Sequence, residues 1–184
     1  MLKYITILLI IIFIISVFFT YNNFIKLNNQ VEEAFSTMDV YLKQRWDLIP
    51  NILATVKGYM DFEKDTLKEI VSLRNSSYVD MSENQKIETN KKLSRNIPEI
   101  LTFAESYPEL KANENFRDLT MQLTKIEEDI VNARKYYNAT IRIYNNKVEM
   151  LPSNIVANIF GFKLKKMFEI ENTECENVKS SSKI

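Results

Sequence analysis

Tyr4–Phe19 reads YITILLIIIFIISVFF, a run with no charge, no glycine and no proline. Thirteen of the residues from Tyr4 to Tyr21 are Ile, Leu, Phe or Val. At about 0.3–0.6 kcal/mol each, they favour insertion into a bilayer by a sum on the order of 5 kcal/mol. The stretch meets the lower limit of about 17 residues for a spanning helix. Isoleucine is an ordinary helix former in water. Lipid leaves the backbone no partner but itself, so the helix forms there regardless. Tyr4 and Tyr21 stand at the two ends, where aromatic rings favour the interface.

Neither glycine nor proline separates this run from the more polar, patterned stretch after it. Phe24, Leu27, Val31, Ala34, Met38, Leu42 and Ile49 continue at three- and four-residue spacing, with Phe35, Tyr41 and Trp46 beside them. That period predicts a helix leaving the membrane without a hinge. At 1.5 Å per residue it reaches about 35–40 Å by Ile49. The competing reading is a cleaved secretory leader, which needs small residues after the apolar run. Here the run exits through Val17, Phe18, Phe19 and Thr20, and no nearby cysteine offers lipoprotein attachment. Lys3 and Lys26 flank the run on opposite sides. They nearly cancel as a positive-inside signal and leave the orientation undetermined.

The remaining residues suffice for one domain with a real core. Lys+Arg and Asp+Glu are both 24, so no basic excess points to nucleic acid. Two glycines and four prolines leave little material for a many-turned β fold. Histidine is absent, which removes Ser-His-Asp and Cys-His catalysis and every histidine metal site from this chain. The single cysteine, Cys175, lies in a polar tail and has no internal partner.

Beyond Ile49, Pro50 interrupts the pattern, because its ring clashes with the Trp46 carbonyl in a continuous helix. With Asp47 as a cap, a helix–helix junction or a kink is expected there. A next helix then runs through Ile52, Leu53, Val56, Tyr59, Leu67, Ile70, Val71 and Leu73, with Gly58 marking either local fraying or, by preference, close approach of a neighbour. Asn75 to Asp80 reads as an exposed loop. Ser82 and Gln85 form a capping box before a helix through Ile87, Leu93, Ile97, Leu101 and Ala104, bent at Pro98 and ended by Pro108. The clearest helix carries Phe116, Leu119, Leu123, Ile126, Ile130, Ala133, Tyr137, Ile141, Tyr144 and Val148, capped by Asn113 or Asn115. A near-heptad seam of this kind seeks partner helices at shallow angles, within the chain or as a coiled coil between copies. Pro152-Ser153 starts a short helix that Gly161 stops. The expected fold is all-α: an N-terminal transmembrane helix (1–22), an elongated antiparallel three- or four-helix bundle (23–169) and a polar disordered tail (170–184).

The segment Leu27–Tyr59, LNNQVEEAFSTMDVYLKQRWDLIPNILATVKGY, resembles the signature region of the LemA family. Further matches are AESYPELKAN at Ala104–Asn113, ARKYYN at Ala133–Asn138, Tyr144-Asn145, LPSN at Leu151–Asn154 and Phe160-Gly161-Phe162. They occur in family order over about residues 5–169. The resemblance implies a bacterial cell-membrane protein with one N-terminal transmembrane helix, a helical bundle and no established catalytic activity. A magnetosome-associated branch is similar. Relatives are sometimes encoded beside membrane metalloproteases, which suggests membrane proteostasis machinery as a partner. Departures are Phe35 where tryptophan is usual, Trp46 where tyrosine is usual and Phe62 where histidine is common. The tail lacks the apolar ending of many relatives.

Carboxylates are the abundant catalytic-type groups: Glu32, Glu33, Asp39, Glu127, Glu128 and Asp129. A bundle site for two metals ordinarily adds Glu-x-x-His, which is absent. A purely carboxylate site for Mg²⁺ or Ca²⁺ is the enzyme alternative, and a solvated acidic face is simpler. Asp39, Arg45, Asp47 and Arg134 flank the apolar seams, and a pair such as Asp39 with Arg134 would fix helix register. Asp47-Leu48-Ile49-Pro50-Asn51 reads as a junction, or as a docking surface at the bundle's end. Phe162–Phe168 mixes basic and apolar residues and is expected to cap the bundle's apolar end rather than touch anionic lipid. Tyr136, Tyr137 and Tyr144 follow helical spacing and are expected in packing contacts.

The functional expectation is a scaffold or interaction protein without catalytic residues, metal or cofactor. Residues 4–21 would contact lipid, and the bundle would contact a protein partner or a second copy. A released extracytoplasmic binding domain is the remaining alternative.

Overall fold

A computed structural model describes residues 2–59 and 77–168. The first apolar residue begins a helix that does not stop at the end of the apolar run. Helix α1 spans Leu2–Lys57, 56 residues, passing through Pro50. At 1.5 Å per residue it is about 84 Å long. Residues 2–16 are exposed on all sides and Val17 is half-buried, whereas Phe24, Val31, Ala34, Met38, Leu42, Ile49, Ile52 and Val56 are buried along one stripe. As expected, the apolar run continues into the core stripe without a break in the helix. The helix–helix junction expected at Pro50 is absent: α1 continues through the ring, with Trp46, Leu48, Ile49, Ile52 and Leu53 buried around it. A proline inside a helix costs about 3 kcal/mol. Each buried Leu or Ile contributes about 1.5–3 kcal/mol, so packing on both sides of the ring offsets the missing backbone bond. Gly58 sits in the turn ending α1, and among the described residues a Cβ there would meet nothing closer than the Thr55 carbonyl at 3.6 Å, so no close helix approach is seen. The helix expected over Ile52–Leu73 contributes its first turns to α1, and its part beyond Tyr59 lies outside the described residues.

After a 3₁₀ turn at Tyr78–Asp80 come α2 (Glu83–Glu105), α3 (Pro108–Ala112), α4 (Glu114–Glu149) and α5 (Ser153–Phe160). Tyr78 is buried within the stretch expected to be an exposed loop. The local stop and start signals hold. Ser82 N–H donates to Gln85 Oε1 at 2.8 Å, and the Asn113 side chain accepts from Phe116 N at 3.0 Å. Gly161 ends α5 at φ +75°, the left-handed conformation for which glycine pays no Cβ penalty.

Four contacts fix the direction of α4 against α1. Tyr59 meets Asn113, Arg45 meets Glu127, Phe35 meets Tyr137 and Phe24 meets Tyr144. Each advance along α1 is a step back along α4, so the two are antiparallel. Helix α2 runs with α1: Lys86 meets Asp39, and Ser94 meets Arg45. Helix α5 closes the end nearest the apolar run, with Val156 and Ala157 buried. The chain then turns back along α4 as an extended segment. Phe162 stacks on Phe24, with centroids 4.6 Å apart. Asn145 and Asn138 each pair twice with that segment's backbone, at Lys165 and at Phe168. Phe162 thus caps the bundle's end as expected, while the rest of the segment lies along the side of the bundle.

Candidate functional site

The buried polar centre of the bundle is built on Arg45, whose side chain is 1% exposed. It lies on the stripe of α1 that faces both α2 and α4. Nη1 donates to Ser94 Oγ and to Glu127 Oε1, both at 2.7 Å. Nη2 donates to the Asn90 backbone carbonyl at 2.9 Å and to Asn90 Oδ1 at 2.8 Å. Asn90, itself fully buried, returns its amide to the Lys86 carbonyl at 2.9 Å. Among the described residues, Arg45 Nε is buried without a hydrogen-bond partner. One guanidinium therefore ties three helices together, using the rigid fork that lysine lacks.

One to two turns down α1, Asp39 accepts from Tyr78 Oη at 2.7 Å and from Lys86 Nζ at 2.6 Å. Trp46 packs on the Tyr78 ring with centroids 5.5 Å apart. Burial first, and then the Asp39 carboxylate, push the Tyr78 phenol far above its ordinary value. It is fixed as a proton donor at every physiological pH. Burial also raises Tyr137, aided by Glu83, and raises Tyr144.

The anticipated register pair is corrected in its partner. Asp39 binds Tyr78 and Lys86, whereas the Arg134 guanidinium lies over the Phe168 ring at 5.9 Å. Register is carried instead by Arg45 with Glu127 and Asp39 with Lys86. Asp47 is paired with Lys43 on the exposed face of α1 at 2.5 Å. The Asp47–Asn51 stretch is not a junction, since it lies inside α1 within about the last three turns of that helix. Asp47 and Asn51 line an open groove of about 620 Å³ between α1 and α4, facing Lys125 and Asp129. Pro50 is half-buried beside them. Tyr137 and Tyr144 pack in the core, but Tyr136 is exposed.

The sequence reading missed Asn90, Ser94, Lys86 and Tyr78, and it took Glu127 for a solvated acid. A signal was present. Lys86, Asn90 and Ser94 recur at i, i+4 and i+8 beside the apolar Ile87, Leu93 and Ile97, a polar seam along one edge of α2.

Among the described residues, no group of three or more His, Cys, Asp or Glu side chains converges. The polar centre consists of hydrogen bonds and ion pairs that join helices, and Asp39, Glu127 and Tyr78 are all engaged in them. Fold and site together define an all-α bundle protein, locked by a buried arginine layer and continuous with a long apolar N-terminal helix. The chain belongs to the LemA family, whose family model matches residues 34–181. Protein LemA of Metamycoplasma hominis is 25% identical over 160 residues, covering 84% of this chain and 73% of that protein. Magnetosome proteins MamQ 1 and MamQ 2 of Paramagnetospirillum magneticum are each 29% identical over 70 residues, covering 38% of this chain and 26% of theirs. The family match contains the Arg45 layer and both asparagine clamps and begins after the apolar run.

Proposed function

We propose that this protein is a single-pass membrane scaffold. Its apolar leader is a permanent tether, and its bundle is an interaction module held at a fixed distance from the bilayer. The observation that carries this reading is the continuity of α1: one 56-residue helix supplies both the exposed apolar run and the central stripe of the core. A hinge-free helix converts a tether into a strut, so the bundle's long faces are presented in one orientation. The polar centre fits such a role. It holds three helices in register, and its Arg45, Glu127, Asp39 and Tyr78 side chains are engaged in contacts between helices. The protein partner falls to membrane proteostasis machinery or to a second copy of the chain.

Two measurements test this. Full-length protein should stay with membranes through high salt and alkaline carbonate. Crosslinking of intact membranes should recover a defined partner or a self-oligomer. Release by alkali removes the tether, and repeated recovery of neither partner nor oligomer removes the scaffold. Stoichiometric divalent metal on the purified protein, lost in Glu127→Ala, would instead favour a carboxylate enzyme.

A further inference from the structure

Met150–Phe162 is thirteen consecutive residues without a charge, between Glu149 and Lys163. It forms the corner joining α4 to α5 and all of α5. Part of it belongs to the core, since Val156 and Ala157 are buried. The other face is open and, apart from Asn158, apolar: Leu151 is 75% exposed and Ile159 70%, and Met150, Ile155 and Phe160 are exposed as well. A bundle in water rarely leaves such a contiguous apolar surface without an occupant.

The position of this surface identifies the occupant. A hydrocarbon core of about 30 Å takes up about 20 helical residues, which from Leu2 ends near Tyr21. The headgroup layer adds about 5–7 Å beyond that on each side. The Phe160 ring lies 4.8 Å from the Tyr21 ring, and Phe162 lies 5.7 Å from it. Val17, one turn deeper, already packs against the bundle's core. The end of the bundle thus reaches the last turn of the apolar run, and the open face of α5 is at the depth of the headgroup layer. In the sequence, Lys163 immediately follows the charge-free stretch, and Lys26 is the first charge after the apolar run of α1.

We propose that the α4–α5 corner is a second membrane contact, in which Met150, Leu151, Ile155, Ile159 and Phe160 are seated in the interfacial layer of the bilayer that holds α1. This rests on the reading of α1 as a membrane anchor. An amphipathic helix lying in the interface is stabilised by its buried apolar face. Here the second contact fixes the tilt and rotation that a lone spanning helix leaves free.

The test uses the full chain in a Cys175→Ser background, reconstituted into phosphatidylcholine vesicles. Single cysteines replace Ile159, Phe13 or Val40 and carry an environment-sensitive fluorophore. All three positions are exposed, so no core contact is disturbed. Lipids with a nitroxide just below the headgroup should quench the label at position 159 by at least about twofold, and leave the label at 40 unchanged. Quenching at 13 without quenching at 159 overturns the corner contact and leaves the anchor standing. Quenching at neither overturns both. If position 159 crosslinks to its counterpart under mild oxidation and is not quenched by lipid, a second copy occupies the face and the proposal falls.

Discussion

At the scale of single residues, the molecule turns on a charge placed where charge is costly. Arg45 is buried and tied to Glu127, Ser94 and Asn90. A buried ion pair adds little net stability against an apolar replacement, but removing one partner strands the other. The variants should therefore separate. Arg45→Ala opens a cavity and leaves Asn90 and Ser94 without their donor, and should cost about 3–5 kcal/mol. Arg45→Met strands the same acceptors but fills the space, and should cost less by the cavity contribution alone. Glu127→Gln keeps an acceptor at a side chain one-third exposed to solvent, and should cost about 1 kcal/mol. Denaturant unfolding followed by Trp46 fluorescence gives all three values. Equal losses for Arg45→Met and Arg45→Ala would mean that the guanidinium itself stabilises the fold.

The element scale shows which features were legible and why. Asn113, the Ser82–Gln85 box and Gly161 were readable because a cap is a contact within three or four residues of chain. The apolar stripes of α1 and α4 were readable because period reports the buried face. Pro50 was misread because its local cost is real, and only the packing of Ile49, Ile52 and Leu53 against other helices shows that it is outweighed. The partners of Arg45 and Asp39 depend on how α2 slides along α1, which no local pattern encodes. The extended return segment belongs to the same class. Asn145 accepts from Lys165 N at 2.9 Å and donates to its carbonyl at 2.8 Å, and Asn138 does the same for Phe168 at 2.8 and 2.9 Å. Each amide side chain acts as a one-residue strand, pairing with backbone that has no helix of its own. Asn145→Ala should lose about 1–2 kcal/mol of stability for its two bonds. It should also speed hydrogen exchange at Lys165 while exchange in the middle of α4 stays unchanged. If the Lys165 amide remains protected, packing of Phe162 and Phe168 holds the segment without the clamp.

At the scale of the whole molecule, three buried tyrosines link the fold to alkaline pH. Tyr78 is fixed beside the central arginine layer, while Tyr137 and Tyr144 lie on α4 nearer the apolar run. All three are raised above the ordinary phenol value of 10.0, with burial as the leading cause. A group raised in the folded state gives stability that is complete below its unfolded pKa. That stability fades as the pH climbs toward the folded value, because the unfolded chain loses the proton first. The window therefore opens near pH 10 and extends upward. Within it each tyrosine still protonated in the fold steepens the loss of stability by about 1.4 kcal/mol per pH unit. Tyr78→Phe should lower stability at pH 8 by about 1–2 kcal/mol, since Asp39 loses a hydrogen bond and keeps only Lys86. The same variant should show a shallower decline between pH 10 and 11, having one proton fewer to lose. Urea midpoints measured across that range on detergent-solubilised full-length protein give both quantities. Trp46, which packs on the Tyr78 ring, is the natural reporter. A Tyr78→Phe decline as steep as the parent's would show that the phenol ionises without unfolding the bundle, and the Asp39–Tyr78 contact would then not be coupled to the global transition.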